Sequence, residues 1–335
     1  MSGGSSSRQG GLKALLKKNL EDNIKKDGQE FINHLKTNRN DVHIWKEDDL
    51  EEEEAEAEAA TVAAEMQPVT QYLGLIVTPV AMGNSRGWKL SELGANIIRG
   101  ITTSLVNDMS HQVIRPNVSI NQIYANDKEV EIRAEAMRCE NKSSYTKVLM
   151  NMICIIHCLC GSKRKSIPLD LQHMMFYFTD YKLFWNNRRF LINHPCLWNF
   201  FKVQQVIMNL RTAMKVKPTD TLILIGLTPN IEWKDDIIRM FENESGQPSY
   251  QQGEFLGAAE AVFYYRTYSN TSAGFIMFLG ALYVHVYERW SELNKERLMG
   301  SFVVEIGNFF YILYPTFLCQ LVSKLFYYNA FKGYF

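Results

Sequence analysis

Residues 90–106 read Leu-Ser-Glu-Leu-Gly-Ala-Asn-Ile-Ile-Arg-Gly-Ile-Thr-Thr-Ser-Leu-Val. Leu90, Leu93, Ile97, Ile101 and Leu105 recur at steps of three and four, the spacing that lines one face of an α-helix. The same periodicity predicts helices over 171–178, 200–214 and 235–241. Alanines and few breakers predict another over 253–265, and an apolar run over 145–160 ends at Gly161. One short strand is expected where Val130 and Ile132 alternate with Glu129, Glu131 and Arg133 after the Asn126-Asp127 turn. Leu222-Ile223-Leu224-Ile225 fits a buried strand or a buried helix equally well. No internal repeat is visible. The fold class is therefore mainly α.

Towards the N-terminus the character changes. Residues 1–11, rich in Gly and Ser, have the composition of a flexible tail. Leu12, Leu15, Leu16, Leu20 and Ile24 then form an amphipathic stripe, with Lys13, Lys17, Lys18, Lys25 and Lys26 on or near the other face. Beyond Trp45 comes Glu47-Asp48-Asp49-Leu50-Glu51-Glu52-Glu53-Glu54, a like-charge block of the kind that repels itself and stays solvated. Three regions follow: a tail with a docking helix (1–45), an acidic linker (46–66), and a helical globular body (67–335) of one domain or two lobes dividing near 216–250.

The formal net charge of zero conceals an asymmetry. Residues 1–66 hold 9 Lys/Arg against 15 Asp/Glu, a net of −6, so the remaining chain carries +6. A basic body behind an acidic arm favours polyanionic partners, RNA first. With 46% apolar residues the chain has ample material for a core, which excludes global disorder. No charged segment leads into an apolar run at the start, and the six cysteines lack the spacing of a secreted disulfide scaffold. The four Asn-x-Ser triplets at Asn117, Asn141, Asn243 and Asn270 are then chance matches, and the expected compartment is reducing and cytosolic.

Cys154, His157, Cys158 and Cys160 have the donor atoms of a zinc site. They sit inside one apolar run, Met152-Ile153-Cys154-Ile155-Ile156-His157-Cys158-Leu159-Cys160, where free cysteine behaves as a small hydrophobe. Core packing is the stronger reading, and no metal or other cofactor is expected. No phosphate-binding, dinucleotide-binding, zinc-protease or nucleophile-elbow motif occurs, so the chain is not expected to be an enzyme.

The basic residues carry more information. Lys163-Arg164-Lys165 follows Gly161-Ser162, Arg188-Arg189 follows Phe184-Trp185, and Lys202, Arg211, Lys215 and Lys217 lie downstream. Tyr264-Tyr265-Arg266 sets two aromatics beside a cation. Cations neutralise phosphates and exposed aromatics stack on unpaired bases, the two ingredients of single-strand binding.

Three short segments lie in order along the chain: Asn117-Val118-Ser119-Ile120-Asn121, Asn187-Arg188-Arg189-Phe190, and Gly253-Glu254-Phe255 followed by Ala259-Glu260-Ala261. Together with the basic helical body and the arm, they resemble nucleocapsid proteins of segmented negative-strand RNA viruses, in particular the plant emaravirus type. The family's motifs run Asn-Val-(Val/Leu)-Ser-x-Asn, Asn-Arg-Leu-Ala and Gly-Tyr-Glu-Phe. Here the first is one residue short, the second lacks Leu-Ala and the third lacks its tyrosine. The resemblance implies RNA contacts at Asn117, Asn121, Asn187, Arg188, Gly253 and Phe255, and a place in the virion and the host cytoplasm.

The expected function is a nucleocapsid or coat-type protein that polymerises on single-stranded RNA without strong base preference. Lys163–Lys165, Arg188, Arg189 and the Lys202–Lys217 set would hold phosphates, and residues 12–26 would dock on the next subunit. Self-association is therefore expected, with a viral polymerase as a further partner. The alternative is a membrane-associated helical protein using the apolar stretches 274–287 and 302–323. Both fall short of the ~20 uncharged residues a bilayer requires.

Overall fold

Ser91 starts the helix that the leucine–isoleucine stripe predicts. Its hydroxyl accepts from the Gly94 N–H at 3.0 Å, satisfying a donor left open at the helix start. This helix, α1, runs Glu92–Ser110 and buries Ile97, Ile98, Ile101 and Leu105. Leu90 precedes it and instead ends a strand, Ser85–Leu90. A Cβ at position 94 would lie 2.1 Å from the Ile76 carbonyl oxygen, so only glycine lets the chain pass this close to the helix.

The computed structural model describes Asn33 and residues 65–82, 85–126, 128–161, 167–216, 231–242, 254–289 and 301–327. The 12–24 stripe, the acidic run, Lys163–Lys165, Lys217, the 222–225 segment and Gly253 lie outside the described residues. Among the described residues there are eleven α-helices, four 3₁₀ turns and seven short strands, so the protein is mainly α. The chain divides into two compact units. Unit 1 comprises 1–78, 90–167 and 171–192, and unit 2 comprises 79–89, 168–170 and 193–335. The longest continuous stretch of unit 2 begins at Asn193.

In unit 1, strands β1 (Gln67–Pro68), β5 (Ile123–Ala125) and β6 (Val130–Ile132) form an antiparallel sheet in the order β1-β5-β6. Ile123 pairs with Ile132 and Ala125 with Val130. The Asn126 side chain accepts from the Lys128 and Glu129 N–H groups at 2.9 and 2.7 Å, closing the β5–β6 turn. The strand expected at 130–132 therefore has partners that the alternation did not announce. Helix α1 packs on β6, and Arg115 fastens the two. Its Nε donates to Asp108 at 2.9 Å while Nη1 donates to the Ile132 and Ala134 carbonyls. A second antiparallel pair joins β4 (Val113–Ile114) to β7 (Met137–Arg138).

The apolar run at 145–160 is helix α2, Lys142–Leu159. Asn141 caps its start, accepting from the Ser143 N–H at 3.0 Å. Its last two turns, 152–159, are buried without a break, which accounts for their composition. Helix α3 (Leu169–Phe176), a 3₁₀ turn (Tyr177–Thr179), α4 (Tyr181–Asn186) and α5 (Arg188–Ile192) follow. The remaining strands, β2 (Val77–Met82) and β3 (Ser85–Leu90), form a two-stranded sheet.

Unit 2 is built from α6 (Phe200–Val216), α7 (Trp233–Phe241), α8 (Glu254–Tyr265), α9 (Ser272–Arg289), α10 (Ser301–Leu313) and α11 (Phe317–Tyr327). Helix α9 packs against α8, α6 and α10. Trp233 is fully buried at the centre, with Phe263, Phe275 and Phe278 at 5.2–5.8 Å. Its indole N–H donates to the Ser269 carbonyl at 3.1 Å.

The stretches 274–287 and 302–323 supply much of this core, including Phe275, Phe278, Leu282, Phe309 and Leu321. Among the described residues no single helix is long and apolar enough to cross a membrane. Val303–Leu313 and Phe317–Tyr327 reach that length only together, with a bend of 89° between them.

Candidate nucleic-acid interface

Unit 1 carries a ladder of rings and cations. Asp180 caps α4, its carboxylate accepting from the Lys182 and Leu183 N–H groups at 2.8 and 3.2 Å. That start places Tyr181 and Trp185 one helical turn apart on the same face. Their rings are nearly parallel, at 9° and 6.4 Å between centroids, and both are half-exposed. Tyr181 also stacks on Tyr145 at 5.2 Å. Where α4 gives way to α5, the Arg188 guanidinium lies 4.2 Å from the Trp185 ring and donates to the Trp185 carbonyl at 2.9 Å. At the other end the Lys142 ammonium stands 5.8 Å from the Tyr181 ring. Lys182 and Arg189 are exposed beside them. The sequence of groups is cation, ring, ring, cation.

Asn187, expected to touch RNA, is instead turned inward. It is 1% exposed and its Nδ2 donates to the Leu183 carbonyl at 2.7 Å, so it holds the α4–α5 junction. Asn117 is exposed and Asn121 half-exposed, in a segment organised by Ser119 and Gln122. There the Ser119 N–H donates to the Gln122 side chain at 2.9 Å, and Asn151 donates to the Val118 carbonyl at 2.6 Å.

In unit 2 the Tyr264-Tyr265-Arg266 triplet closes α8 and enters the loop to α9. Tyr264 and Tyr265 are 64% and 62% exposed, unusual for large rings at the end of a core helix. Trp233 grips this loop through Ser269, and the Lys234 N–H donates to the Asn270 side chain at 3.2 Å. Lys234 is thereby carried to a cavity of about 280 Å³ that it lines with Tyr264, Tyr265, Arg266 and Tyr268.

Arg211 belongs to this neighbourhood and departs from its expected place in an open groove. It is only 7% exposed, and its Nη1 donates to the Gly280 carbonyl at 2.7 Å. A Cβ at Gly280 would fall 2.4 Å from Arg211 Cδ, so a glycine on α9 makes room for the buried arginine. Burial lowers the Arg211 pKa and Arg266 lowers it further, while Tyr268 acts in the opposite sense. Burial raises the Tyr268 pKa, against the pull of both arginines.

Lys202, Arg211 and Lys215 do not form one stripe on α6. Nine residues at ~100° each put Lys202 and Arg211 on opposite sides. Lys202 instead spends its ammonium on Gln205 at 3.3 Å, and Lys215 is exposed at the helix end.

Cys154, His157 and Cys158 are buried along α2 and Cys160 at its C-terminal cap, and none of these cysteines is in a disulfide. Among the described residues these four do not converge as a metal-holding group. Burial raises the Cys160 pKa to about 12, with Cys158 adding to it. A thiol held protonated makes a poor metal ligand.

No protein-family model matches the chain, and no curated protein matches it.

Four contributors escaped the sequence reading. Tyr181 and Lys182 had a local signal, since Tyr181, Trp185 and Arg188 are spaced i, i+4, i+7, whereas Lys142 had none, because only the fold brings it beside the Tyr181 ring. Lys234 had none, because only the folded 266–271 loop brings it to the cavity.

Proposed function

We propose that the chain binds single-stranded RNA without strong base preference, as a nucleocapsid or coat-type protein does. The observation that carries this reading is the ladder of Lys142, Tyr181, Trp185 and Arg188. The half-exposed rings set aromatic surface beside cations, the pairing that unpaired bases of any identity and the phosphates between them call for. Such a surface recognises a flexible strand, whereas duplex readout calls for an element that fits a groove. Exposed Tyr264, Tyr265 and Arg266 supply the same two ingredients on unit 2.

Self-association through the stripe Leu12–Ile24, and shielding of the basic surfaces by the acidic linker, complete the proposal. Binding of a labelled oligouridylate to the full chain, followed by fluorescence anisotropy over a range of salt, tests it. Affinity should fall steeply with salt, and oligoadenylate should bind with similar strength. Unchanged affinity when Lys182, Arg188 and Arg189 are replaced together by alanine would overturn the reading.

A further inference from the structure

Arg211 presents an electrostatic imbalance. A guanidinium keeps its charge under all ordinary conditions, and burying it is unfavourable unless an opposite charge or full hydrogen bonding compensates. Arg211 is 93% buried by its 7% exposure, yet its Nε meets no acceptor. Among the described residues no carboxylate forms an ion pair with it. The charged side chain acting on it is another cation, Arg266, and its second neighbour is the phenol of Tyr268. Both neighbours wall the cavity that Lys234 also lines. Two cations thus line one small space, a third, Arg211, acts on one of them, and among the described residues no carboxylate lines it.

We propose that this cavity is a seat for the phosphate of a single nucleotide, held by Arg266 and Lys234 with Arg211 behind them and the base laid on Tyr264 or Tyr265. An anion placed there would offset the repulsion between Arg211 and Arg266. The cavity, at about 280 Å³, is close to the ~300 Å³ lower bound of small-ligand pockets, enough for one nucleotide unit and too small for several. The exposed tyrosines separate this seat from a bare anion site, because inorganic phosphate gains nothing from a ring. Gly280 is part of the design: any side chain there would displace the buried cation.

The seat deepens the RNA-binding reading but stands separately from it. Its ligand is either a nucleotide within bound RNA or a free mononucleotide. Calorimetric titration of the full chain with uridine monophosphate, uridine and inorganic phosphate tests the seat itself. The monophosphate should bind at least tenfold more tightly than either fragment. Arg266→Ala and Lys234→Ala, which alter the cavity rim, should each weaken it about tenfold.

Arg211→Met should weaken it comparably, and a matching thermal midpoint would show that the variant remains folded. A repeat in the presence of saturating oligouridylate separates the two sources. Loss of monophosphate binding assigns the seat to bound RNA, and retention assigns it to a free nucleotide. Failure of the monophosphate to bind at millimolar concentration, equal binding of inorganic phosphate, or indifference to Arg266→Ala would each overturn the proposal. RNA binding that survives Arg266→Ala but not loss of Lys182, Arg188 and Arg189 would sink the seat's RNA role and leave the unit 1 reading intact.

Discussion

The Tyr311 hydroxyl donates to the Asp170 carboxylate at 2.5 Å, linking residues 141 apart in the sequence. Asp170 is 4% exposed, so this is a charge-assisted bond formed away from water. Burial raises the Tyr311 pKa well above its usual value, and Asp170 adds to the effect. Tyr283 and Tyr314 are raised as well, chiefly by burial. A tyrosine whose folded pKa is raised stabilises the fold fully below the unfolded pKa near 10, and that stability is lost as pH rises beyond it. Chemical denaturation should therefore show stability flat up to about pH 10 and falling by up to about 1.4 kcal/mol per pH unit for each such tyrosine above it. Tyr311→Phe should cost about 1–3 kcal/mol at neutral pH, since it withdraws a donor from a buried carboxylate.

At the acid end the relevant group is His173, buried beside Tyr177 and Phe190. Burial lowers its pKa from 6.5 to about 4. The unfolded chain then binds a proton that the folded one refuses, so stability is complete above pH 6.5 and declines as pH falls towards 4. The loss from this group should approach about 3 kcal/mol, and His173→Asn should flatten that part of the profile.

Gly280→Ala should destabilise unit 2 by about 1–3 kcal/mol, because the added methyl must displace the Arg211 side chain. In the double variant with Arg211→Ala the penalty of the alanine should largely vanish. A double-mutant cycle by thermal denaturation measures that coupling.

The two components of RNA affinity should separate. Replacing Tyr181 by alanine removes a stacking platform and should cost about 1–3 kcal/mol while leaving the salt dependence unchanged. Replacing Arg189 should instead lower the slope of log affinity against log salt by about 0.7 if it neutralises one phosphate. Anisotropy titrations at several salt concentrations distinguish the two.

Thiol chemistry offers a simple check on α2. Cys139 is half-exposed, while Cys154, Cys158, Cys160, Cys196 and Cys319 are buried. One thiol per chain should react with an aromatic disulfide reagent in native buffer and six in denaturant. Addition of zinc should not protect the native signal.

The helices were legible because each carries its burial pattern on consecutive turns, as with Ile97, Ile101 and Leu105. The strands were not. β1, β4 and β7 have two residues each, too few for an alternation to register, and β5 is recognised only through its pairing with β6. The aromatic–cation triplet at Tyr264 could be read directly, because its members are adjacent. Asn187 and Arg211 misled for the opposite reason. A polar residue inside an amphipathic stretch reads as surface, yet each is fixed inside by a backbone carbonyl, Leu183 in one case and Gly280 in the other.

The hairpin residues 79–89 belong to unit 2, although the chain on either side of them belongs to unit 1. Met82 lies in the unit 2 core, and the Lys89 ammonium rests 3.5 Å from the ring of Phe200, more than a hundred residues later. Neither unit is therefore a continuous stretch of polypeptide. During synthesis the hairpin leaves the ribosome long before α6 exists to receive it, so Val80 and Met82 must wait in water. Cutting the chain after Ile192 would make that wait permanent, and would also strip the second unit of a piece that no C-terminal fragment contains.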